Sequence, residues 1–305
     1  MRQRTRLLAA VVTVVAGILA FGTASAQIED QISAYTGANA EGYLQPLADA
    51  IGADLNGGLW GSAYIPVDGF HVSFDTRIVA VLFSDDDETF DATTEDGFLP
   101  EQTVGAPTVV GSGDALVIPG DGATSFAFPG GFSLNSFTLA VPQFRIGSYK
   151  GTEALIRYFA LDTGDVEIGN VSLYGFGLRH SVSQYFSEPV PVDVAAGFFW
   201  QTFSLGDDLI DANAFTFGVQ ASKRLEAGVV LFEPYVGLSV DSFSMDVTYD
   251  YEGEEETESI DLSFESDTGF RATVGMAVTA SIVGLNAEYS LSDRSSFAFG
   301  LSLGF

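Results

Sequence analysis

Phe297-Ala298-Phe299-Gly300-Leu301-Ser302-Leu303-Gly304-Phe305 closes the chain with large apolar side chains at every odd position and small residues between them. A period of two puts all the large side chains on one face of a strand and all the small ones on the other. No charge interrupts the stretch. A buried strand of a soluble sandwich shows the same alternation, but it rarely ends a protein on its most apolar residues. The alternation therefore points to a strand with one face toward lipid.

The opposite end agrees with a membrane destination. Met1-Arg2-Gln3-Arg4-Thr5-Arg6 is basic, residues 7–21 form a short apolar run, and Ala24-Ser25-Ala26 has the small-x-small pattern of a cleavage site. This reads as a secretory signal peptide over residues 1–26, cut near Ala26-Gln27. An uncleaved anchor is disfavoured because the run is short for a spanning helix, and no later stretch approaches 18 consecutive apolar residues. The mean hydropathy is nevertheless positive, at +0.25. A barrel resolves that mismatch by spreading its lipid-facing residues over alternate positions.

Without residues 1–26, which hold three arginines and no acid, the charge is −32, from nine basic and 41 acidic residues. That excess excludes nucleic acid as a partner and suggests a saline habitat or loops that take up divalent cations. There is no cysteine, so neither a disulfide nor a thiolate can form.

Residues 27–56 read as one or two short helices. Ile32, Tyr35, Tyr43, Leu44, Leu47, Ala50, Ile51 and Leu55 recur at helical spacing before Asn56-Gly57-Gly58. The segment could plug a lumen or lie in the periplasm. From residue 57 onward the pattern is strand-like. Alternation recurs over 67–83, 138–147, 151–160, 170–183, 191–203, 212–224, 229–250, 259–280, 283–291 and 296–305. A further hairpin around Gly111-Ser112-Gly113 and a short strand over 57–65 are conceivable. The fold class is all-β, an antiparallel transmembrane barrel of about 10–14 strands over 57–305 with a short helical N-terminal segment. Counting back from the C-terminus, every long acidic linker falls at one end of the barrel, and the linkers at the other end are uniformly short. Long outer loops and short periplasmic turns are the habit of this class. The hydrophobic parity changes near Asp241 to Phe243, where we expect a β-bulge.

The face opposite the apolar residues collects charge and amide groups. Asp75, Arg77, Gln143, Arg145, Glu153, Arg157, Arg179, Arg271 and Glu288 fall there, as do Asp193, Gln201, Glu233, Asp241 and Asn286. Such a set either stiffens the lumen as a ladder of arginine–carboxylate pairs or orients an anionic head group and gates a passage. His71, Ser73 and Asp75 share one strand face, but residues two apart stand about 7 Å from each other, too far for a hydrogen-bonded triad. His180 falls out of register with the lumen set, near the periplasmic edge. Two distant histidines without cysteine make no metal site, and no cofactor or enzymatic activity is expected. The acidic runs at residues 85–88 and 252–258 lack the spacing of a calcium loop.

Several segments carry a resemblance. Tyr43-Leu44-Gln45-Pro46-Leu47, Leu55-Asn56-Gly57-Gly58, Pro142-Gln143-Phe144, Gly151-Thr152-Glu153, Arg157-Tyr158 and Gly175-Phe176-Gly177-Leu178-Arg179-His180 resemble a poorly characterised family of bacterial outer-membrane barrels, over about residues 40–240. The chain is more distantly similar to fatty-acid-transporter-like barrels, which hold an N-terminal hatch in the lumen. It departs from them in lacking the Asn-Pro-Ala hatch signature, so that likeness is one of fold. The resemblance implies a Gram-negative outer membrane, membrane lipids as surroundings, and uptake of hydrophobic compounds or an accessory role in secretion. The functional expectation is passage of a small hydrophobic or amphipathic ligand, and the alternative is a structural barrel with a filled lumen, serving as a membrane anchor or part of an envelope complex. The closing stretch also resembles the last strand of such barrels. That implies Phe297, Phe299, Leu301, Leu303 and Phe305 as the signal read by the barrel assembly machinery.

Overall fold

A computed structural model describes residues 31–95, 97–162, 170–187, 190–206, 209–252 and 257–304. Residues 1–26, expected from the sequence to be a signal peptide, the centre of the acidic run at 253–256, and Phe305 lie outside the described residues.

Ten antiparallel strands close into a barrel. They are β1 (His71–Leu82), β6 (Ser136–Tyr149), β7 (Thr152–Asp162), β8 (Asn170–Ser181), β9 (Asp193–Leu205), β10 (Ile210–Ser222), β12 (Val230–Glu252), β13 (Thr257–Ala280), β14 (Val283–Leu291) and β15 (Ser296–Gly304). Each pairs with its chain neighbour. β1 zips to β15 from Ser73↔Gly304 to Val81↔Ser296, and β10 zips to β12, which closes the barrel, while the β6–β7 ladder runs only from Tyr149↔Thr152 to Gln143↔Arg157 and leaves Ser136–Pro142 and Tyr158–Asp162 outside it. These are the ten segments that the alternation predicts. No helix among the described residues is long and apolar enough to cross a membrane.

One end of the barrel carries tight connections at β6–β7 and β13–β14, but the β8–β9 connection there runs over residues 182–192 and is longer than the sequence pattern suggests. Lys150 and Gly151 both have positive φ in the two-residue turn between β6 and β7, the geometry that matches strand twist. β11 (Leu225–Ala227) forms a small hairpin with the start of β12 at this same end. The other end carries the 53-residue crossing from β1 to β6. Two of the sequence expectations change within and before it. The stretch 103–120 does not fold on itself. Instead β2 (Thr89–Thr93) pairs with β3 (Thr103–Pro107), and β4 (Leu116–Pro119) pairs with β5 (Ser125–Phe128). Residues 57–65 form no strand, because their backbone groups bond to lumen side chains instead of a neighbouring ladder.

The register between β12 and β13 shifts between Asp241 and Phe243, the expected position. The extra residue lies in β13, however, since Asp241 faces Gly269 and Phe243 faces Ser266. β12 keeps its parity and the surroundings invert around it. Below the shift, Val236, Leu238 and Val240 face outward and are exposed, while Glu233, Ser239 and Asp241 face inward. Above it, Phe243, Met245, Val247 and Tyr249 are buried in the lumen, and Ser242, Ser244, Asp246 and Thr248 fall on the opposite face. β6 changes its lumen face in the same way, from Arg145 and Gln143 to Val141, Leu139 and Phe137. The lumen is therefore polar toward the turn end and apolar toward the loop end.

α1 (Gly37–Leu55) occupies that apolar half. Tyr35, Tyr43, Leu44, Leu47, Ile51 and Leu55 join one core with Val81, Leu139, Phe159, Leu173, Phe203, Met245, Val247 and Phe264 from the wall and with Phe90 and Phe128 from the long crossing. Gly52 lets the helix approach the wall, for a Cβ there would stand 2.9 Å from the Phe243 ring. The first turn lies at the loop end, where the Tyr249 hydroxyl donates to the Tyr35 carbonyl over 2.9 Å. Residues 57–66 then descend to the turn end, where Gly151 N–H donates to the Val67 carbonyl and β1 begins.

Candidate functional site

The lumen wall meets the descending segment as a series of polar rungs. The uppermost closes the C-terminus of α1. The last carbonyls of a helix have no partner within it, and they form the negative end of its dipole. Here the barrel supplies the partners. Arg157 Nη1 donates to Leu55 O over 3.3 Å and Nη2 to Gly57 O over 3.0 Å, while its Nε donates to Gln143 Oε1. Arg271 Nη2 donates to Ala53 O, Nε reaches Asp241 Oδ2 at 2.5 Å, and Nη1 reaches Ser296 Oγ. Gln201 also donates to Leu55 O. Thr216 donates to Asn56 Oδ1 over 2.7 Å.

The middle rung is built on Glu288. Its two oxygens accept from Gly58 N–H at 3.0 Å and from the Tyr235 hydroxyl at 2.7 Å, and Asn286 donates to that same hydroxyl. The lowest rung holds the closest ion pairs. Arg145 grips Asp75 with Nε and Nη2 at 2.8 and 2.9 Å. Arg179 holds Glu153 Oε1 at 2.6 Å and donates from Nη1 to Ser62 O, and His71 Nε2 meets the other oxygen of Glu153 at 2.8 Å. Glu233 Oε1 accepts from Ser62 and Ser222, each over 2.5 Å. Arg179 also lies 5.6 Å from the Trp60 ring centre, and Arg157 lies 5.5 Å from that of Phe199.

The structure thus brings Asp75, Arg77, Gln143, Arg145, Glu153, Arg157, Arg179, Arg271 and Glu288 to one surface around residues 53–63. Gln201, Glu233, Asp241 and Asn286 join them, whereas Asp193 lies half-buried beside them without a hydrogen bond to the segment. His180 faces away from the lumen, accepting or donating at Thr152 Oγ1 and Tyr185 OH, both at 2.8 Å. Ser73 Oγ contacts Asp75 at 3.5 Å while His71 turns to Glu153, so these three residues make no nucleophilic relay. Among the described residues no three His, Asp or Glu side chains converge as metal ligands.

Sequence reasoning missed the upper contacts. Glu95, from the crossing, accepts from the Thr36 N–H at 3.1 Å and its hydroxyl at 2.7 Å, a carboxylate at the positive end of α1. Asn39 exchanges bonds with the Thr93 backbone. Arg294, between β14 and β15, holds Asp87 at 2.7 and 2.8 Å and touches Asp49 of α1 at 3.4 Å. A cavity of about 250 Å³ lies at the turn end of the lumen, lined by Arg77, His71, Arg145, Asn286, Thr279 and Ser302 among others.

A closed antiparallel barrel, with Phe74, Ile78, Phe144, Ile156, Phe176, Trp200, Phe217, Leu238, Phe270, Leu285, Phe299 and Leu301 exposed around its waist, belongs in a bilayer. In hydrocarbon backbone groups need partners within the protein, and a closed ring of paired strands is the β-structure that meets that need. The class is that of outer-membrane β-barrels. The chain belongs to a family of unknown function, DUF6588, whose model matches residues 1–305. None of the curated proteins matches it in sequence.

Among solved structures it is similar to the β domain of the Bordetella autotransporter BrkA, at 12% identity and a TM-score of 0.30, covering 78% of this chain and 100% of that one. The transport unit of the Escherichia coli autotransporter AIDA-I matches at 11% identity and 0.32, over 84% and 96% of the two chains. A Pseudomonas aeruginosa FadL homologue matches at 10% and 0.28, over 84% and 97%. The likeness extends to the barrel fold and stops there.

Proposed function

We propose that this chain is a sealed outer-membrane barrel whose lumen serves as the protein's core, and that it works as a membrane-embedded scaffold in an envelope assembly. The observation that carries this reading is the burial of α1 together with the residues that lead into it. Ile32, Tyr35, Tyr43, Leu44, Leu47, Ile51 and Leu55 are each 5% exposed or less. Burying a large apolar side chain contributes about 1.5–3 kcal/mol, so withdrawing the helix into water forfeits on the order of 10–20 kcal/mol, before its end contacts are counted. A gate whose open state is populated at 0.1–10% works within a few kcal/mol. Displacement of α1 lies outside that range.

Planar-bilayer conductance separates a sealed core from a removable plug. Wild-type protein is expected to be silent. Deleting residues 37–56 is expected to abolish the heat-modifiable folded form, because the wall loses the other half of its core. A folded barrel that conducts after the deletion would overturn the proposal and restore a plug-gated channel.

A second reading, passage of a small amphipathic molecule, is favoured by the turn-end cavity alone. It would need a route from that cavity sideways through the wall, since α1 fills the lumen above.

A further inference from the structure

We propose that the turn-end cavity is a binding site for a small oxyanion, a carboxylate or a phosphate group, with Arg77 as its anchor. The site is independent of whether the barrel conducts, and it goes beyond the scaffold reading.

Arg145, Arg157, Arg179 and Arg271 each direct their guanidinium at a carboxylate or at backbone carbonyls. Arg77 does not. It is 2% exposed, lines the cavity, and its Nε and Nη1 have no acceptor. The neighbouring carboxylates are already engaged. Both oxygens of Asp75 are held by Arg145, both of Glu153 by Arg179 and His71, and both of Glu288 by Gly58 and Tyr235. A buried guanidinium whose Nε and Nη1 lack acceptors is costly to keep, and an oxyanion is the partner its planar fork fits best.

Space for the guanidinium is built in. A Cβ at Gly61 would stand 3.1 Å from Arg77 Nη2, and one at Gly300 would stand 2.8 Å from Nη1. The remaining lining suits a small polar head with a short apolar body. Asn286, Thr279 and Ser302 offer hydrogen bonds, and Leu285 and Ala277 offer apolar surface. A volume of about 250 Å³ accommodates a group of on the order of eight water volumes. Because the cavity lies at the short-turn end, its ligand would enter from the periplasm.

The test is calorimetric titration of the detergent-folded full chain at fixed ionic strength, with inorganic phosphate in one arm and benzoate in the other. We expect one saturable site per chain in at least one arm. Phosphate alone would identify a phosphorylated ligand and benzoate alone a carboxylate. Arg77→Gln should weaken binding at least tenfold. Ala277→Phe, which places a ring in the cavity lining, should do the same while keeping heat-modifiable mobility. Protection of Arg77 from phenylglyoxal by the bound anion, read by peptide mass on wild-type protein, covers the case in which Arg77→Gln fails to fold. Absence of saturable binding by folded wild type, or unchanged binding in a folded variant, would overturn the site. Neither result bears on conductance.

Discussion

Arg157 is buried to 1% exposure and ties three chain segments together, donating to Gln143 on β6 and to the carbonyls of Leu55 and Gly57. Its removal leaves the Gly57 carbonyl and Gln143 Oε1 buried without a donor, at about 1–3 kcal/mol each, while Leu55 O keeps Gln201. Arg157→Ala should therefore lower stability by about 3 kcal/mol, read as an earlier urea midpoint for loss of heat-modifiable mobility. Arg157→Lys should recover only a minor part, because a single ammonium cannot span Gln143 and both carbonyls in the guanidinium's planar fork. Parity placed this arginine in the lumen, as it did Arg77, Arg145, Arg179 and Arg271. What parity could not show is that the partners of Arg157 and Arg271 include backbone carbonyls of α1. A carbonyl carries no sequence signature, so a ladder of arginine–carboxylate pairs was the natural reading. It holds for Arg145–Asp75, Arg179–Glu153 and Arg271–Asp241.

Between elements, the outer latch joins the crossing, α1 and the β14–β15 loop through Asp87, Asp49 and Arg294. Burial of Asp87 alone would raise its pKa. The hydrogen bonds from Arg294 and Ser84 outweigh that and hold the carboxyl below its ordinary value. A carboxylate with a depressed folded pKa stabilises the native state above its unfolded pKa, about 3.9, and the contribution is lost as pH falls through the folded value. Limited proteolysis of the crossing should thus be slow and unchanged from pH 7 to about 5 and accelerate only below about 4. Arg294→Ala should be cleaved faster across the neutral range, by a margin worth no more than about 1 kcal/mol for a partly exposed pair, with a flatter pH profile. Acceleration near pH 6 would mean that another group controls the latch.

The latch was illegible in the sequence because its partners are 207 and 245 residues apart. The bulge was legible as a change of hydrophobic parity, but its meaning was not. Odd-numbered Phe243, Met245 and Val247 face inward like Asp241 before them. The apolar set moves relative to lipid because the strand leaves the bilayer there and meets α1 inside. A single strand's pattern records which face is greasy, and it does not say whether lipid or protein covers that face.

For the whole molecule, the path of the chain through its own barrel is the decisive property. The strands begin and end at the turn end, where Ser73 of β1 lies opposite Gly304 of β15. The segment before β1 starts at the other end. Tyr35 is held by Tyr249, and Thr36 by Glu95 of the crossing. It then threads past β10 at Asn56, β14 at Gly58 and β8 at Ser62 before reaching the turns. In an outer-membrane barrel the long loops face outward, so this path predicts that Gln31 lies at the end of the barrel facing the cell exterior. An epitope inserted directly before Gln31 should be bound by antibody on intact cells, as strongly as one inserted after Gly122 in the crossing. An epitope between Ser187 and Val190, in the β8–β9 turn, should become reactive only after the outer membrane is permeabilised. This outcome would also require the strands to close around α1 during assembly, because a helix with Arg157, Gln201 and Arg271 bonded to its last turn and the crossing packed over its first cannot slide into a finished wall. If the epitope before Gln31 reacted only after permeabilisation while the one after Gly122 reacted on intact cells, the segment would enter from the periplasm and the threaded path would be wrong.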